Sequence, residues 1–386
     1  MIITQIKDFN LRCTFCGSCI LSCKKNAIST KKDSLGFSYP TVDLTKCCDC
    51  SVCVSKCHLE NKIQTYSFES ITCYEGYSNN NQIRSTSTSG GLARTISEYV
   101  IRNNGIVFGA SLDENMNVKH VRCDTIESLE RISGSKYLQS DTNSSYSQIK
   151  KLLSEDKLIL FIGTPCQVRG LYSFLGKKPK HLITIDFICH GVPSKKVFAD
   201  MIKHVETKEK RKVFTFYFRD KINGWKNSTS TIVLSNGKKI HHLNQTFTFY
   251  RLFLDNYILR NSCYSCSSAS EHCSDLTVGD YWSTQSKDDK GTSLICCNSD
   301  VGISIIESIK PYVFIDPIID KSKLIPCYTN HELSYNIKNK DIFIKEYNKL
   351  GYKKYNRKYA RKIRRKVFIK KLVSLPRKIA KKLLTH

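Results

Sequence analysis

Apolar and β-branched residues along the chain gather in short blocks at 106–110, 158–163, 183–188 and 277–281, each bounded by polar or glycine-containing stretches. Blocks of that length predict buried strands. Elsewhere apolar positions recur three and four apart, over 92–101, 145–155, 194–205 and 246–259. That spacing predicts helices with one face toward a core. Strands alternating with helices predict an α/β or α+β body with ligand loops at the strand ends. No G-x-G-x-x-G follows a strand and no G-x-x-x-x-G-K-[ST] occurs, so neither a dinucleotide fold nor a P-loop is supported. The longest apolar runs, such as 158–162, are far shorter than the roughly 20 residues a bilayer-crossing helix needs. Residues 1–10 lack a basic flank followed by an apolar stretch, and a cytoplasmic location is expected.

With 40% hydrophobic and 25% charged residues in 386, a packed core is feasible and wholesale disorder is excluded. Two counts change the picture. There are 19 cysteines, an odd number in a chain much larger than the disulfide-built secreted scaffolds, which points to metal ligation or redox chemistry. Lys and Arg total 61 against 34 acidic residues, a net charge of +27. Residues 349–386 carry 16 of those cations and no acid, leaving 45 against 34 elsewhere, or +11. The surplus is therefore mainly a tail.

Nine cysteines fall within residues 13–57. They form Cys13-x2-Cys16-x2-Cys19-x3-Cys23 and, 34 residues later, Cys47-x2-Cys50-x2-Cys53-x3-Cys57, with Cys48 outside the pattern. Three cysteines at every third position wrap a loop around one iron–sulfur cube, and the fourth ligates the other cube. One cluster would use Cys13, Cys16, Cys19 and Cys57; the other would use Cys47, Cys50, Cys53 and Cys23. Zinc favours separated cysteine pairs and fits this grammar less well. Two 4Fe–4S clusters are expected, and the pattern resembles a bacterial-type dicluster ferredoxin domain. In that type of domain proline usually follows each fourth cysteine; here Lys24 and His58 stand there, and both are expected to bring positive charge near the clusters.

The body has its own chemical loops. Ser87-Thr88-Ser89-Gly90-Gly91 precedes a helix and reads either as an anion site or as a plain N-cap. Gly163-Thr164-Pro165-Cys166-Gln167 follows a strand, and Cys189-His190-Gly191 follows the next. Cys263-x2-Cys266 lies in a polar loop with Cys273 nearby. From spacing alone, Cys166, Cys189, Cys263 and Cys266 read equally as ligands of a third cluster or as small buried hydrophobes.

Several short motifs occur in one order: Ser89-Gly90-Gly91, Gly134-Ser135-Lys136-Tyr137, the Thr164 and Cys189 motifs, Phe218-Arg219-Asp220-Lys221 with Trp225, Cys263-Tyr264-Ser265-Cys266, Ser274-Asp275 and Gly279-Asp280-Tyr281-Trp282. Over roughly residues 10–330 the series resembles the beta-subunit family of the coenzyme F420-reducing hydrogenases and dehydrogenases. It resembles in particular the bacterial branch with an N-terminal dicluster ferredoxin, often linked to polysaccharide genes. The resemblance implies an FAD-dependent iron–sulfur flavoprotein with Cys166, Cys189, Cys263 and Cys266 on a third 4Fe–4S cluster. It implies that Ser89, Gly90, Gly91, Lys136, Tyr137 and Thr164 face the flavin. Tyr281 and Ser283 replace the family's usual Phe and Gly, a mild departure. His190 is a weak catalytic candidate, as proton shuttle or sulfur hydrogen-bond donor, against a structural role. Arg219, Lys221 and Lys136 are candidate holders of phosphate or a carboxylate substrate, with ordinary surface charge as the competing reading of Lys221.

In the tail, Ile363, Val367, Leu372 and Leu375 recur among Lys and Arg, then Ile379 and Leu383 follow Pro376. This predicts a basic amphipathic helix, a break and a second short helix, suited to an anionic membrane or an acidic partner. Nucleic acid is disfavoured, since no aromatic stacking platform accompanies the charge.

The expected architecture is α+β: a small dicluster ferredoxin-like domain (1–68), a larger α/β flavin and iron–sulfur body (69–335) and a basic helical tail (336–386). The expected activity is an oxidoreductase passing electrons between clusters and flavin to a small carrier or a substrate. The rivals are an electron-transfer subunit that serves a redox partner protein and a zinc-rich nucleic-acid binder. The location expected is cytoplasmic, with the tail at the inner face of the membrane.

Overall fold

The computed structural model describes residues 1–283, 288–324 and 338–373. In the head, the antiparallel hairpin of β1 (Ile28–Lys32) and β2 (Ser38–Val42) separates two short helices, Ser18–Ser22 and Val52–Ser55. The head has no core of its own. Its Ile3, Phe9, Leu35, Phe37 and Tyr39 belong to one buried cluster with Phe198, Phe216, Phe218 and Phe253 of the body.

The body is built on an eight-stranded sheet. Its strands are β3 (Thr72–Ser78), β4 (Ile106–Leu112), β5 (Val118–Cys123), β6 (Ile159–Ile162), β7 (Leu182–Phe187), β11 (Leu276–Asp280), β12 (Ser293–Cys297) and β13 (Val313–Pro317). The order across the sheet is β13-β3-β12-β11-β7-β6-β4-β5. The four central strands β11, β7, β6 and β4 run parallel, and they are the four that the apolar blocks predict. The flanking strands pair antiparallel; β3 mixes buried with half-exposed residues, whereas β12 is buried throughout and its apolar run Leu294–Cys297 is not among the predicted blocks.

Both faces of the central strands are covered, as parallel sheets require. Val107, Leu160, Ile183 and Ile185 face the helices Leu92–Arg102 and Asp300–Ile309. Phe108, Ile159 and Phe161 face the helices Asn143–Ser154 and Pro165–Leu175. A second sheet, β10-β9-β8, of β8 (Val213–Asp220), β9 (Thr229–Leu234) and β10 (Lys239–Leu243), joins the core shared with the head.

The predicted helix over 246–259 is shorter, Thr248–Leu254. Asn256 takes a left-handed conformation (φ 62°) and turns the chain, so Leu259 can bridge to Pro193.

The tail differs most from expectation. A helix spans Lys338–Val373, kinked at Gly351, and its apolar stripe is not free. Phe343, Tyr347, Tyr355, Tyr359 and Ile363 are buried in the body core. The Tyr347 hydroxyl donates to Asp200 at 2.6 Å and the Tyr359 hydroxyl to Asp255 at 3.0 Å. Lys340 donates to the Leu259 carbonyl at 2.8 Å. The helix reaches its hydrophobic minimum on the protein itself, leaving Lys353, Arg357, Arg361, Lys362 and Arg365 exposed on its outer face. Pro376, Ile379 and Leu383, of the predicted second helix, lie outside the described residues.

A docked tail makes a stability prediction. Truncating Tyr359 to alanine is expected to lower the unfolding free energy by about 3 kcal/mol, read by urea denaturation. A solvated tail would leave it unchanged.

Candidate functional site

The carboxyl ends of β4, β6, β7 and β11, with the loops beyond them, open on one cavity of about 460 Å³. Ligand sites of open α/β sheets form at that edge, because the loops there diverge. Cys166, Cys189, Cys263 and Cys266 line it, as do Ser89, Gly91, Lys136, Tyr137, Thr164 and His190. The remaining predicted residue, Gly90, is packed behind the wall. Its N–H donates to Ser293 Oγ at 2.9 Å, and a side chain there would collide with the Gly76 carbonyl.

The Cys166 loop is set by local rules. Thr164 is the N-cap of the helix Pro165–Leu175, Pro165 fits its first turn, and Gln167 reaches back to accept the Thr164 N–H at 3.0 Å. This capping box leaves the Thr164 hydroxyl 3.2 Å from Cys166 Sγ. Gly191, at φ 123°, lets the Cys189 loop approach Cys263, whose Cβ would lie 3.1 Å from any side chain placed there. The four thiols therefore converge from three loops.

Burial pushes the Cys166 thiol up to about 11 and Cys263 to about 12, with Cys266 adding repulsion in both cases. Cys189 is held well above its ordinary range by burial and then by Cys166, Cys263 and Cys266. Four such thiols cannot ionise together unless positive charge enters among them, and a bound metal supplies it. Among the described residues no three His, Cys, Asp or Glu side chains close tightly enough to grip one metal ion. A cube is wider than an ion, and an all-thiol donor set matches it in chemistry.

Across the cavity, Thr88 Oγ1 accepts the Ser135 N–H at 2.8 Å, tying loop 87–91 to loop 134–137. Ser89 Oγ donates to the Thr292 carbonyl at 2.8 Å. Lys136 donates to the Ser133 carbonyl at 2.7 Å, and burial brings its ammonium down to about 7. Tyr137 packs edge-on against Phe218 and Tyr250. At the mouth, Trp282 stacks on the buried Trp225 at 4.3 Å, and Asp280 pairs with Arg219 and accepts from Trp225 Nε1.

Lys221 is neither free surface charge nor open to an anion, since backbone carbonyls take its ammonium. Its ammonium donates to the carbonyls of Arg84, Ser89 and Lys290 at 2.6–2.7 Å, so it clamps loop 87–91. His190 is held by Asn256 and the Phe253 backbone, stacks edge-on against Phe253, and is kept below its usual range by burial, a structural setting.

His120, on β5, escapes sequence reasoning. It also lines the cavity, and its Nε2 bonds the Ile162 carbonyl at 2.8 Å. Burial lowers it to about 4, so the ring is neutral at pH 7. Its Nδ1 makes no hydrogen bond among the described residues. The one available signal is a polar residue at an inward position of an alternating strand.

In the head, the two loops repeat in shape as well as in sequence. Phe15 and Gly17 have positive φ, and so do Asp49 and Ser51, each 34 residues on. The turns bend the same way around each run of three cysteines. Cys16 lies within electrostatic reach of Cys13 and Cys57, and Cys19 of Cys16, Cys13 and Cys57, which brings one predicted set together with its fourth member from the other repeat. In the second set Cys47 lies near Cys53; Cys50 is exposed and its thiol is hydrogen-bonded with that of Cys48, and Cys23 Sγ accepts from the Ala27 N–H. Lys24 is exposed. The charge expected from His58 is absent at neutral pH. The ring is buried against Thr14, and burial with Arg169 and Arg12 holds it at about 4.

The head meets the body at Cys16, where a Cβ on Gly170 would lie 2.5 Å from Cys16 Cβ. Gly170→Val is expected to force this contact apart and lower Tm by several degrees, read by calorimetry; an unchanged Tm would refute the close approach. Lys136 gives a pH dependence. Its folded pKa of about 7 lies below the lysine value of 10.5, so between them the unfolded chain binds more protons and stability rises with pH. In Lys136→Met that rise is expected to flatten, measured by denaturation at about pH 7 and about pH 9.

Comparison with known proteins locates the body. No curated protein matches the chain. Among solved structures it is similar to a chain of the F420-reducing NiFe hydrogenase complex from Methanosarcina barkeri, studied by xenon derivatization. The identity is 17%, with 76% of this chain and 96% of that one covered and a TM-score of 0.49. Residues 156–318, which carry Cys166, Cys189, Cys263 and Cys266, match the family described as the C terminus of the coenzyme F420 hydrogenase/dehydrogenase beta subunit. Over those residues the body is similar to the coenzyme F420 hydrogenase/dehydrogenase beta-subunit family.

Proposed function

We propose that the chain is an iron–sulfur flavoprotein oxidoreductase. In this reading the head holds two 4Fe–4S clusters on its eight patterned cysteines. Cys166, Cys189, Cys263 and Cys266 hold a third, and FAD occupies the rest of the cavity. The observation that carries it is the shared wall, since the four body thiols and loops 87–91 and 134–137 line one cavity.

The bound groups would supply the electron chemistry, two-electron exchange at the flavin and one-electron transfer at each cluster. The chain supplies placement and charge. The capping box fixes Cys166, and Lys221 and Thr88 hold the loops opposite. Lys136 offers a cation on the cavity wall below about pH 7, suited to an anionic ligand group. His120 Nδ1 offers an acceptor from a neutral ring. Electrons then leave to a small carrier or substrate, and a role in polysaccharide biosynthesis belongs to this proposal.

The description of the family as a beta subunit favours a second reading, an electron-transfer subunit serving a redox partner protein. The basic outer face of the C-terminal helix would then meet an acidic partner or an anionic membrane.

Anaerobic purification tests both. About 12 Fe per chain, from three four-iron cubes, with one flavin are expected, and Cys166→Ala should lose about four Fe while keeping the rest. A colourless, flavin-free protein with stoichiometric zinc overturns the proposal. Reoxidation only by a protein partner selects the second reading.

A further inference from the structure

Arg260 is the least expected side chain in the molecule. It is 1% exposed, between the head and the body cavity, whose wall it joins. Its three nitrogens all donate to neutral acceptors. Nε bonds the Cys13 carbonyl at 2.8 Å, Nη2 the Ser38 carbonyl at 2.9 Å and Nη1 the Gln139 Oε1 at 3.2 Å. Gln139 is itself fixed by donating to the Thr14 carbonyl at 2.7 Å. The guanidinium lies 4.3 Å from the centre of the Tyr39 ring. Among the described residues no carboxylate pairs with it within 4 Å.

A buried guanidinium without a counter-ion is strongly disfavoured, because hydrogen bonds to neutral groups do not restore the lost solvation. Some negative charge must answer it. The groups on hand are thiols of two sets. Arg260 acts electrostatically on Cys13 of the head and on Cys166 and Cys263 of the body, drawing all three toward the thiolate. Cys16 and Cys166 also lie within electrostatic reach of each other, so the two sets are neighbours and Arg260 stands beside both.

We propose that Arg260 is the shared counter-charge of the Cys13/Cys16/Cys19/Cys57 set and the Cys166/Cys189/Cys263/Cys266 set, a positioning residue that raises the midpoint potentials of both clusters. The inference rests on the iron–sulfur reading above. A cluster on four thiolates gains negative charge with each electron it accepts. A fixed cation in a dry setting stabilises that reduced form more than the oxidised one. One cation facing two clusters favours reduction of either without a proton or a moving group. The planar fork suits the role, since three directed bonds hold the charge at one spot.

The test is a redox titration of the purified holoprotein, followed by electron paramagnetic resonance, in wild type, Arg260→Gln and Arg260→Lys. At fixed poise, Arg260→Gln is expected to lower the reduced-to-oxidised ratio of one head cluster and of the body cluster by about tenfold, or 59 mV for a one-electron couple. The other head cluster should change least. Arg260→Lys, which keeps the charge, should hold both ratios near wild type. Unchanged potentials in Arg260→Gln, or a change at only one cluster, overturn the proposal. If Arg260→Gln takes up no iron, Arg260→Lys decides: wild-type potentials support the charge role, and lost iron or a tenfold fall assigns Arg260 to packing. Wild-type protein without iron would instead refute the parent reading.

Discussion

Everything in this molecule answers to the cost of keeping thiols dry. Where head, strand ends and the Cys263 loop meet, thiolates repel one another and are poorly solvated. The fold manages this by bringing the cysteines in on separate loops. Each loop is stiffened locally, by a capping box at Cys166 or by paired left-handed residues in the head repeats. The parallel strands matter chiefly as a fixed edge from which those loops start.

What could be read from the sequence follows from how local each determinant is. The four parallel strands announce themselves because burial on both faces demands unbroken apolar runs. The Thr164–Gln167 cap and the cysteine spacings are equally local. The antiparallel strands β3 and β13 carry less of that signature, because their pairing is decided across the sheet, whereas β12 shares the apolar run without being parallel. Long-range partners hide the rest. Arg260 looks like any arginine in a polar loop until Ser38, Cys13 and Gln139 close around it from elsewhere. Lys221 likewise becomes a clamp only through carbonyls at Arg84, Ser89 and Lys290.

The tail shows the same limit in another form. Its periodicity was readable, and a helix is there, but an amphipathic pattern does not say which surface takes the apolar face. Here the chain's own core takes it through Tyr347, Tyr355 and Tyr359. The positive charge is thereby presented outward on a rigid support rather than on a loose strand.

That docking also sets an order of events during synthesis. The head emerges first, yet its Cys13 and Cys16 find their burial only against Gln139, Gly170 and Arg260. Lys340, which secures the Leu259–Asn261 stretch just before Cys263, comes later still. A ribosome therefore exposes the head thiols long before the residues that shelter them exist. Those thiols are sheltered only in a chain whose last helix has closed on the body.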